Sequence, residues 1–341
     1  MKILIVTDAW PPQVNGVVRT LQETIRGLEI FGHRTEVIAP DGFRCMPCPT
    51  YPEIPLALFP GREVARRMAA ASFDAVHIVT EGPLGVAARR YCLRHGIRFT
   101  TAYHTCFPEY LSQRIPGTRG IAYSLLRRFH APSQAVMVPT ETMEQRLAAQ
   151  RFRRLASWSR GVDGNLFRPH DKITLEGKRP IYLYAGRVAP EKNIEAFLDL
   201  KLSGTKYVVG AGPSLRRLRE KYPDVHYTGY VDDETLAAFY AAADVFVFPS
   251  LSETFGLVLL EAMASGLPVA AFPVTGPLDV IGESSAGSMK ENLAEAVENA
   301  MTISPDVCRG HALTFSWQDA TAQFLGHIMR ANDCEPASAT E

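Results

Sequence analysis

Long apolar runs are missing from this chain of 341 residues, although 46% of its residues are hydrophobic and only 21% are charged. No stretch reaches the roughly 18 apolar residues that a membrane-spanning helix needs. The apolar segment at residues 3–6 is too short for a secretory signal and is soon followed by Asp8. We therefore expect a soluble cytoplasmic chain that can bury two cores of ordinary domain size.

Paired cysteines and glycine-rich cofactor loops are also missing. The six cysteines are scattered, and the C-x-x-C at residues 45–48 has neither a second pair nor a nearby histidine to complete a zinc site. It lies in a proline-rich stretch and not at a helix start, as a redox motif would. The segment from Thr7 to Pro12, after the first predicted strand, has no G-x-G-x-x-G. We predict no metal and no cofactor, and a nicotinamide-dependent dehydrogenase is disfavoured.

Net charge is zero, but the charge is unevenly distributed along the chain. Residues 1–168 hold 22 Lys and Arg against 13 Asp and Glu, whereas residues 169–341 hold 14 against 23. Basic residues concentrate after Glu109, and the candidates for a basic face are Arg114, Arg119, Arg127 and Arg128. With aromatic residues nearby, such a face can rest on the anionic inner surface of the cell membrane. A solvated helix face is the alternative, and no nucleic-acid-binding motif is present.

Apolar runs alternate with amphipathic stretches in two series. The first series predicts strands at 2–6, 34–38, 75–78, 98–102 and 135–138, with helices near 17–31, 62–71, 83–95 and 140–150. The second predicts strands at 181–185, 206–209, 225–228, 244–248 and 268–272, with helices near 191–202, 213–221, 233–242, 255–264 and 290–301. This rhythm is typical of α/β proteins, and it predicts two Rossmann-like domains with doubly wound parallel sheets.

The boundary between the domains is predicted where glycine, proline and polar residues interrupt the periodicity, between about residues 160 and 178. We place one domain at 1–165 and the other at 166–315. A final helix is predicted at 316–330. The tail at 331–341 is rich in Ala, Ser and Pro, and we expect it to be disordered.

The most informative segment connects the buried strands predicted at 244–248 and 268–272. Glu253 lies in the turn, Gly256 lies near the helix start, and Glu261 is predicted about two turns along the helix. Free amide groups and the positive end of the helix dipole attract phosphate, while carboxylates accept hydrogen bonds from sugar hydroxyls. The segment fits a ligand that carries both phosphate and hydroxyls. A buried crossover helix with one capping Glu is the alternative.

The spacing of Glu253 and Glu261 matches the E-x7-E signature of the retaining glycosyltransferases of family 4 (GT4), which have the GT-B fold. The flanking P-S-x-x-E-x-F-G and L-E-A-M-A-S-G-x-P-V match as well. Further matches follow in the expected order at residues 1–32, 103–105, 161–163, 186–193, 210–213 and 229–231. The chain thus resembles the family over about residues 1–330. Its first segment is most similar to the lipid-directed mannosyl- and glucosyltransferases.

The resemblance implies an acceptor-binding first domain, a nucleotide-sugar-binding second domain facing it across a cleft, and a last helix that crosses back to the first domain. Arg187 and Lys192 match the pair that neutralises the diphosphate, and Glu261 matches the residue that binds the ribose. The implied catalytic residues are His104, Arg187, Lys192 and Glu253. The implied donor-binding residues are Asn15, Gly16, Gly186, Arg187, Lys192, Val231, Glu253, Thr254, Phe255, Gly256, Leu257 and Glu261.

The reaction that the resemblance implies moves a hexose from a nucleotide diphosphate sugar to an acceptor hydroxyl, with retention at the anomeric carbon. The family has no clearly placed nucleophile, which favours a front-face route in which the departing phosphate helps to deprotonate the acceptor. Because no D-x-D motif is present, we expect no metal ion bridging the diphosphate. We expect GDP-mannose as the donor, with a UDP-hexose next, and a membrane lipid as the acceptor. A soluble glycan acceptor and a non-catalytic nucleotide-sugar-binding module remain open.

Overall fold

The structure, a computed structural model, describes residues 1–48, 54–170 and 173–333, with Gln113 and Arg114 described by their backbone alone. The chain divides into two compact units, each with a six-stranded parallel sheet. The first unit comprises residues 1–159 and the segment from Trp317 onward, and the second unit comprises Arg160–Ser316. The predicted fold class, two Rossmann-like α/β halves, is therefore confirmed.

The four central strands of the first unit's sheet have side chains buried on both faces, as is usual in parallel sheets, whereas its two edge strands are partly exposed. Its strands are β1 Lys2–Val6, β2 Arg34–Ile38, β3 Cys45–Pro47, β4 Pro55–Ala57, β5 Ala75–Ile78, β6 Thr100–Ala102, β7 Val136–Val138 and β8 Leu155–Ser157. Its helices are α1 Gly16–Ile30, α2 Gly61–Ala69, α3 Pro83–Arg94, α4 Phe107–Arg114, α5 Arg119–His130 and α6 Glu141–Ala149. The sheet order is β2-β1-β5-β6-β7-β8, and β3 pairs with β4 in a separate antiparallel hairpin.

The second unit has the strand order β11-β10-β9-β12-β13-β14. Its strands are β9 Ile181–Ala185, β10 Thr205–Val209, β11 His226–Gly229, β12 Val245–Phe248, β13 Val269–Ala271 and β14 Gly287–Met289. Its helices are α7 Ile194–Leu198, α8 Leu215–Lys221, α9 Asp233–Ala242, α10 Leu257–Ala264, α11 Pro277–Val280, α12 Leu293–Ala300 and α13 Pro305–Ala312. Strand order reverses between β9 and β12, which makes their carboxyl ends the topological switch point, where doubly wound sheets bind ligands.

The last helix, α14 (Trp317–Asp333), belongs to the first unit and packs on α1. Phe324 and Ile328 are buried in the same core as Trp158. The helix continues three residues past the predicted end at 330, because Ala331 is buried and Asn332 Nδ2 donates a hydrogen bond to the Asp74 carbonyl oxygen at 2.8 Å. The remainder of the predicted tail, 334–341, lies outside the described residues. Within the described part of the chain, no helix is both long and apolar enough to cross a membrane.

The predicted strands lie within two residues of those observed, but the helix expected at 191–202 is wrong. A single 3-10 turn, Pro190–Lys192, is followed by Asn193 with φ 50° and then by the short α7. A continuous helix needs φ near −60° at every position, so the left-handed Asn193 interrupts the predicted helix. The patterns also missed the 12-residue helix α5 and several shorter elements, namely β3, β4, β8, β14, α4, α11 and α13.

Candidate active site

Two loops meet at the switch point of the second unit, and each supplies a charged side chain. The loop after β9 carries Lys192, and the loop after β12 carries Glu253. Lys192 Nζ lies 2.5 Å from Glu253 Oε2, and the two side chains are only 18% and 15% exposed. Because β9 and β12 are hydrogen-bonded neighbours, residues 61 positions apart come into contact. Two of the predicted catalytic residues, Lys192 and Glu253, are thus brought together at the carboxyl edge of the sheet.

Arg187 adds a second cation to the loop after β9. Its Nη1 lies 3.7 Å from Glu191 Oε1, and its carbonyl oxygen accepts a hydrogen bond of 2.7 Å from the Tyr184 hydroxyl. Burial, reinforced by the negative charges of Glu253 and Glu191, raises the pKa of Tyr184 well above its ordinary value. The tyrosine therefore stays protonated and donates to the loop that holds both cations.

The Glu253 side chain is confined by a glycine of a third loop. Glu253 Oε1 accepts a hydrogen bond of 3.0 Å from the Thr254 backbone amide. Gly276, just before α11, has φ +94°, and a Cβ atom built there would lie 3.0 Å from Glu253 Cβ and 3.0 Å from the Phe255 carbonyl oxygen. The sequence reasoning missed Gly276, although the Gly-Pro pair at 276–277 marks a sharp turn.

Gly256 ends the loop after β12 and precedes α10. It has φ +88°, so α10 begins at Leu257, two residues later than predicted. Thr254 and Phe255 are buried. The first amide groups of a helix have no partner within it, so the start of α10 offers donors to an anion.

Glu261 lies in a different environment from Glu253. It is the fifth residue of α10, hence about one turn into the helix and not two as predicted. Its carboxylate is buried and accepts a hydrogen bond of 3.2 Å from the Tyr240 hydroxyl of α9. Tyr240 was missed, because no local pattern connects residues 21 positions apart.

The remaining predicted donor residues of the second unit are backbone positions. Gly186 follows β9 with φ +140°, and a Cβ atom there would lie 3.4 Å from the Tyr184 hydroxyl. Val231 follows β11, two strands away from β9, and packs against the core. Gly186 is thus beside Arg187 at the switch point, whereas Val231 is further along the same edge.

The predicted residues of the first unit occupy loops after its strands. Asn15 is the N-cap of α1, since its Oδ1 accepts hydrogen bonds of 3.0 Å from the amides of Val17 and Val18. Gly16 is exposed and begins α1. His104 follows β6, is half-buried, and packs edge-on against Trp158 with ring centroids 5.6 Å apart. The Asn15 side chain therefore has a structural role of its own.

Asp8, which the sequence reasoning left without a role, organises the switch point of the first sheet. Its carboxylate accepts hydrogen bonds from the Thr80 hydroxyl at 2.7 Å and from the Leu84 amide at 3.0 Å. Burial raises the pKa of Asp8 despite these bonds. These hydrogen bonds connect the loop that follows β1 to the loop that follows β5, at the carboxyl ends of the two strands. In the described ranges, no group of three or more His, Cys, Asp or Glu is placed to hold a metal ion.

The predicted basic face is partly engaged within the first unit. Arg119 lies 3.2 Å from Glu109, and Arg127 donates to the Gln150 carbonyl oxygen at 3.1 Å. Arg128 is exposed, and the side chain of Arg114 lies outside the described residues. On the same outer side of α5, Ile121 is 66% exposed and Leu125 is 63% exposed. The outer side of α5 is thus apolar with a basic edge.

Comparison with known proteins finds relatives of both units. Residues 14–165 match the family model Glycosyltransferase Family 4, and residues 179–303 match the model Glycosyl transferases group 1. The chain is 30% identical to the GDP-mannose-dependent alpha-mannosyltransferase of Mycobacterium tuberculosis over 96% of each chain. It is 26% identical to the alpha-monoglucosyldiacylglycerol synthase of Streptococcus pneumoniae, covering 96% of this chain and 84% of that one.

Among solved structures, Anabaena HepE in complex with UDP and glucose has a similar fold. The TM-score is 0.70 at 18% identity, covering 96% of this chain and 99% of that one. This likeness shows the two-domain GT-B fold. Two family models and a relative that spans nearly the whole chain agree with the E-x7-E motif. The chain therefore belongs to glycosyltransferase family 4 (GT4) and is a nucleotide-sugar-dependent glycosyltransferase with the GT-B fold.

Proposed function

We propose that this chain transfers a hexose from a nucleotide diphosphate sugar to a hydroxyl group of a membrane lipid. GDP-mannose is the first donor, supported by the Mycobacterium tuberculosis relative, whose name describes a GDP-mannose-dependent mannosyltransferase. A UDP-hexose is the next donor. The lipid acceptor is supported by the Streptococcus pneumoniae relative, whose name describes a glucosylated diacylglycerol.

The contact of Lys192 with Glu253 beside Arg187 is the observation that carries the proposal. Cleavage of the bond between the hexose and the diphosphate leaves negative charge on the phosphate oxygens. Two cations held at the site stabilise that charge without reorganisation at the moment of reaction. Glu253, next to them, can accept hydrogen bonds from hexose hydroxyls. The arrangement therefore suits a ligand in which a phosphate and a sugar are adjacent.

The other residues act on separate parts of the donor. Glu261 binds the ribose hydroxyls, and Val231 holds the base through its backbone. The amides of Phe255, Gly256 and Leu257, at the start of α10, bind phosphate and hexose oxygens, and the buried Thr254 precedes them in the chain. Gly186, Gly16 and Asn15 contact the phosphates through their backbones in this proposal, and His104 contacts the hexose at the reacting centre.

The transfer proceeds with retention and without a metal ion in this proposal. Arg187 and Lys192 take the place of a metal on the diphosphate, and the departing phosphate accepts the proton of the acceptor hydroxyl. Proton NMR of the product reports the anomeric configuration. Addition of EDTA tests whether a metal ion is needed. If one were required, its removal by EDTA would make the rate fall to background.

Contact with a membrane is proposed for the outer side of α5. Ile121 and Leu125 are exposed there, four residues apart and hence on one face of the helix, with Arg128 beside them. Apolar side chains next to basic ones suit the interface of an anionic bilayer. The chain would then lie peripherally on the inner face of the cell membrane, where a lipid acceptor is available.

The test is nucleotide release from GDP- and UDP-sugars, with and without vesicles that contain diacylglycerol or anionic lipid. We expect release from one donor, stimulated by lipid, and a fall of about a hundredfold in Lys192→Ala and Glu261→Ala. The control is Lys201→Ala, an exposed lysine after α7. Nucleotide release that depends on a soluble sugar acceptor would contradict the proposed lipid acceptor. No release from any donor would contradict transfer and leave a nucleotide-sugar-binding module.

A further inference from the structure

Asn193 joins the loop that carries Lys192 to the loop that carries Glu253. It follows the 3-10 turn Pro190–Lys192 and precedes α7, with φ 50° and ψ 36°. This is the left-handed region, which asparagine adopts more readily than most residues with a side chain. The backbone therefore turns immediately after Lys192, and the asparagine side chain reaches the neighbouring loop.

The side-chain amide makes a specific contact there. Asn193 Nδ2 donates a hydrogen bond of 3.0 Å to the carbonyl oxygen of Pro249. Pro249 is buried and is the first residue after β12, four positions before Glu253. Adjacent residues of one loop thus make two links to the other loop. The Lys192 link is charged, and the Asn193 link is neutral.

The two links respond differently to an anionic ligand. A lysine ammonium that binds a phosphate weakens its contact with a carboxylate, because both anions compete for the same N–H donors. An amide bonded to a carbonyl has no net charge that a phosphate would displace. A buried carbonyl that lost its donor would carry an uncompensated desolvation cost. The Asn193 link therefore persists under conditions in which the Lys192 link changes.

We propose that Asn193 is a positioning residue for the transfer reaction. Its bond to Pro249 holds the two loops in register while Lys192 exchanges Glu253 for the donor phosphates. Lys192 and Glu253 then remain at the spacing that places a phosphate and a hexose side by side. This inference rests on the proposed function and adds to it a residue that touches neither donor nor acceptor.

Three substitutions separate the side-chain bond from the backbone conformation. Asn193→Gly retains the left-handed backbone without strain and removes the amide. Asn193→Ala removes the amide and adds strain. Asn193→Asp retains the shape but sets a carboxylate oxygen against the Pro249 carbonyl oxygen. The matched control is Asn292→Gly, which removes the side-chain cap of α12 in the same unit.

We expect kcat/KM for the donor to fall about tenfold to a hundredfold in Asn193→Gly and Asn193→Ala alike, and further in Asn193→Asp. Affinity for GDP alone, measured by calorimetry, changes much less, because GDP lacks the hexose that Glu253 contacts. The melting temperature of Asn193→Gly stays close to that of Asn292→Gly, whose kcat/KM is unchanged.

Normal kcat/KM in Asn193→Gly, with a loss only in Asn193→Ala, would mean that the backbone alone matters and would overturn the inference. An equal loss of GDP affinity and kcat/KM would overturn it too, since the effect would then be on binding in general. If the wild-type chain releases no nucleotide from any donor, both the proposed function and the positioning role are contradicted. Release that is unchanged in Asn193→Gly contradicts the positioning role alone.

Discussion

At the scale of single residues, the Glu253 carboxylate depends on space that only a glycine leaves. Gly276 has φ +94°, and any Cβ atom there would approach Glu253 Cβ and the Phe255 carbonyl oxygen at 3.0 Å. Real Cβ atoms rarely come that close, and the carbonyl belongs to the buried residue Phe255. Even the smallest side chain at position 276 must therefore shift Glu253 or the loop that carries it.

Gly276→Ala is expected to lower both stability and activity. A left-handed alanine costs about 1 to 2 kcal/mol of unfolding free energy, and displacement of Glu253 lowers kcat/KM for the donor by about a hundredfold. The control is Gly32→Ala, which has φ +80° but no atom within 4 Å of the new Cβ. It should show the loss of stability that comes from backbone strain alone, with normal kcat/KM. Normal activity in Gly276→Ala would show that Glu253 tolerates the shift.

At the scale of elements, the last helix is held to the first unit by close packing and by one histidine. Gly27 of α1 faces Thr321 of α14, which is fully buried. His327 of α14 donates through Nε2 to the Ser157 carbonyl oxygen at 2.6 Å, and its Nδ1 accepts from Arg330 at 2.7 Å. Both bonds require the neutral imidazole with its proton on Nε2. The packing of α14 on the first unit is thus sensitive to side-chain volume at position 27 and to protonation of His327.

Gly27→Ala should destabilise the protein although alanine favours helices. A Cβ atom at position 27 would lie 2.3 Å from Thr321 Oγ1, so the helices must separate at a cost of about 1 to 3 kcal/mol. Gly310→Ala in α13 is the control, since nothing lies within 4 Å there. It should stabilise by about 0.5 to 1 kcal/mol. Urea unfolding of both variants measures the change in the free energy of unfolding, which should be negative for Gly27→Ala and positive for Gly310→Ala. Changes of the same sign would contradict close packing of Gly27 on Thr321.

The histidine predicts a pH dependence. Burial, together with the nearby Arg330 charge, lowers the pKa of His327 below its ordinary value of 6.5. A base whose folded-state pKa is lowered stabilises the fold above its unfolded pKa, and this contribution is lost as pH falls through about 6.5 and below. His327→Gln retains a donor and an acceptor but does not titrate. The stability of the wild type relative to this variant should fall between pH 8 and pH 5, and a constant difference would contradict the assignment.

At the scale of the whole molecule, charge of opposite sign is carried by the two halves of the sequence. An excess of nine positive charges in residues 1–168 is balanced by nine negative charges in residues 169–341. The exposed apolar pair of α5 lies in the positive half. If a membrane is the partner, both attraction to anionic lipid and burial of this pair contribute to binding.

Vesicle sedimentation separates these two contributions. We expect binding to anionic vesicles to weaken about tenfold or more between 0.1 and 1 M salt, because the Debye length falls from about 10 to about 3 Å. Replacing Ile121 and Leu125 by Gln should weaken binding at both salt concentrations. The control replaces the exposed Ile30 and Met329, on α1 and α14, by Gln and should bind normally. Equal binding to neutral and anionic vesicles would contradict the basic face.

The sequence predicted the family and the two-sheet fold, and both are confirmed. The motif from Glu253 to Glu261 is contiguous, and buried parallel strands leave strong apolar runs. The helix expected at 191–202 is wrong because the apolar spacing from Ile194 onward looks helical, while the left-handed Asn193 interrupts the helix. Its side chain donates to the carbonyl oxygen of Pro249, 56 residues away, and no local pattern shows that contact. The roles of the site residues remain predictions.

The sequence by itself determined what depends on neighbours in the chain, namely the buried strands, the Asn15 cap of α1 and the spacing of the two glutamates. Only the tertiary structure decided which loops meet. The contacts of Lys192 with Glu253 and of Gly276 with Glu253 exist because β9 pairs with β12 and β12 with β13. Strand pairing minimises the free energy of the whole unit by burying both faces of the sheet. No local pattern carries that information, so the chemistry at the switch point follows from the fold.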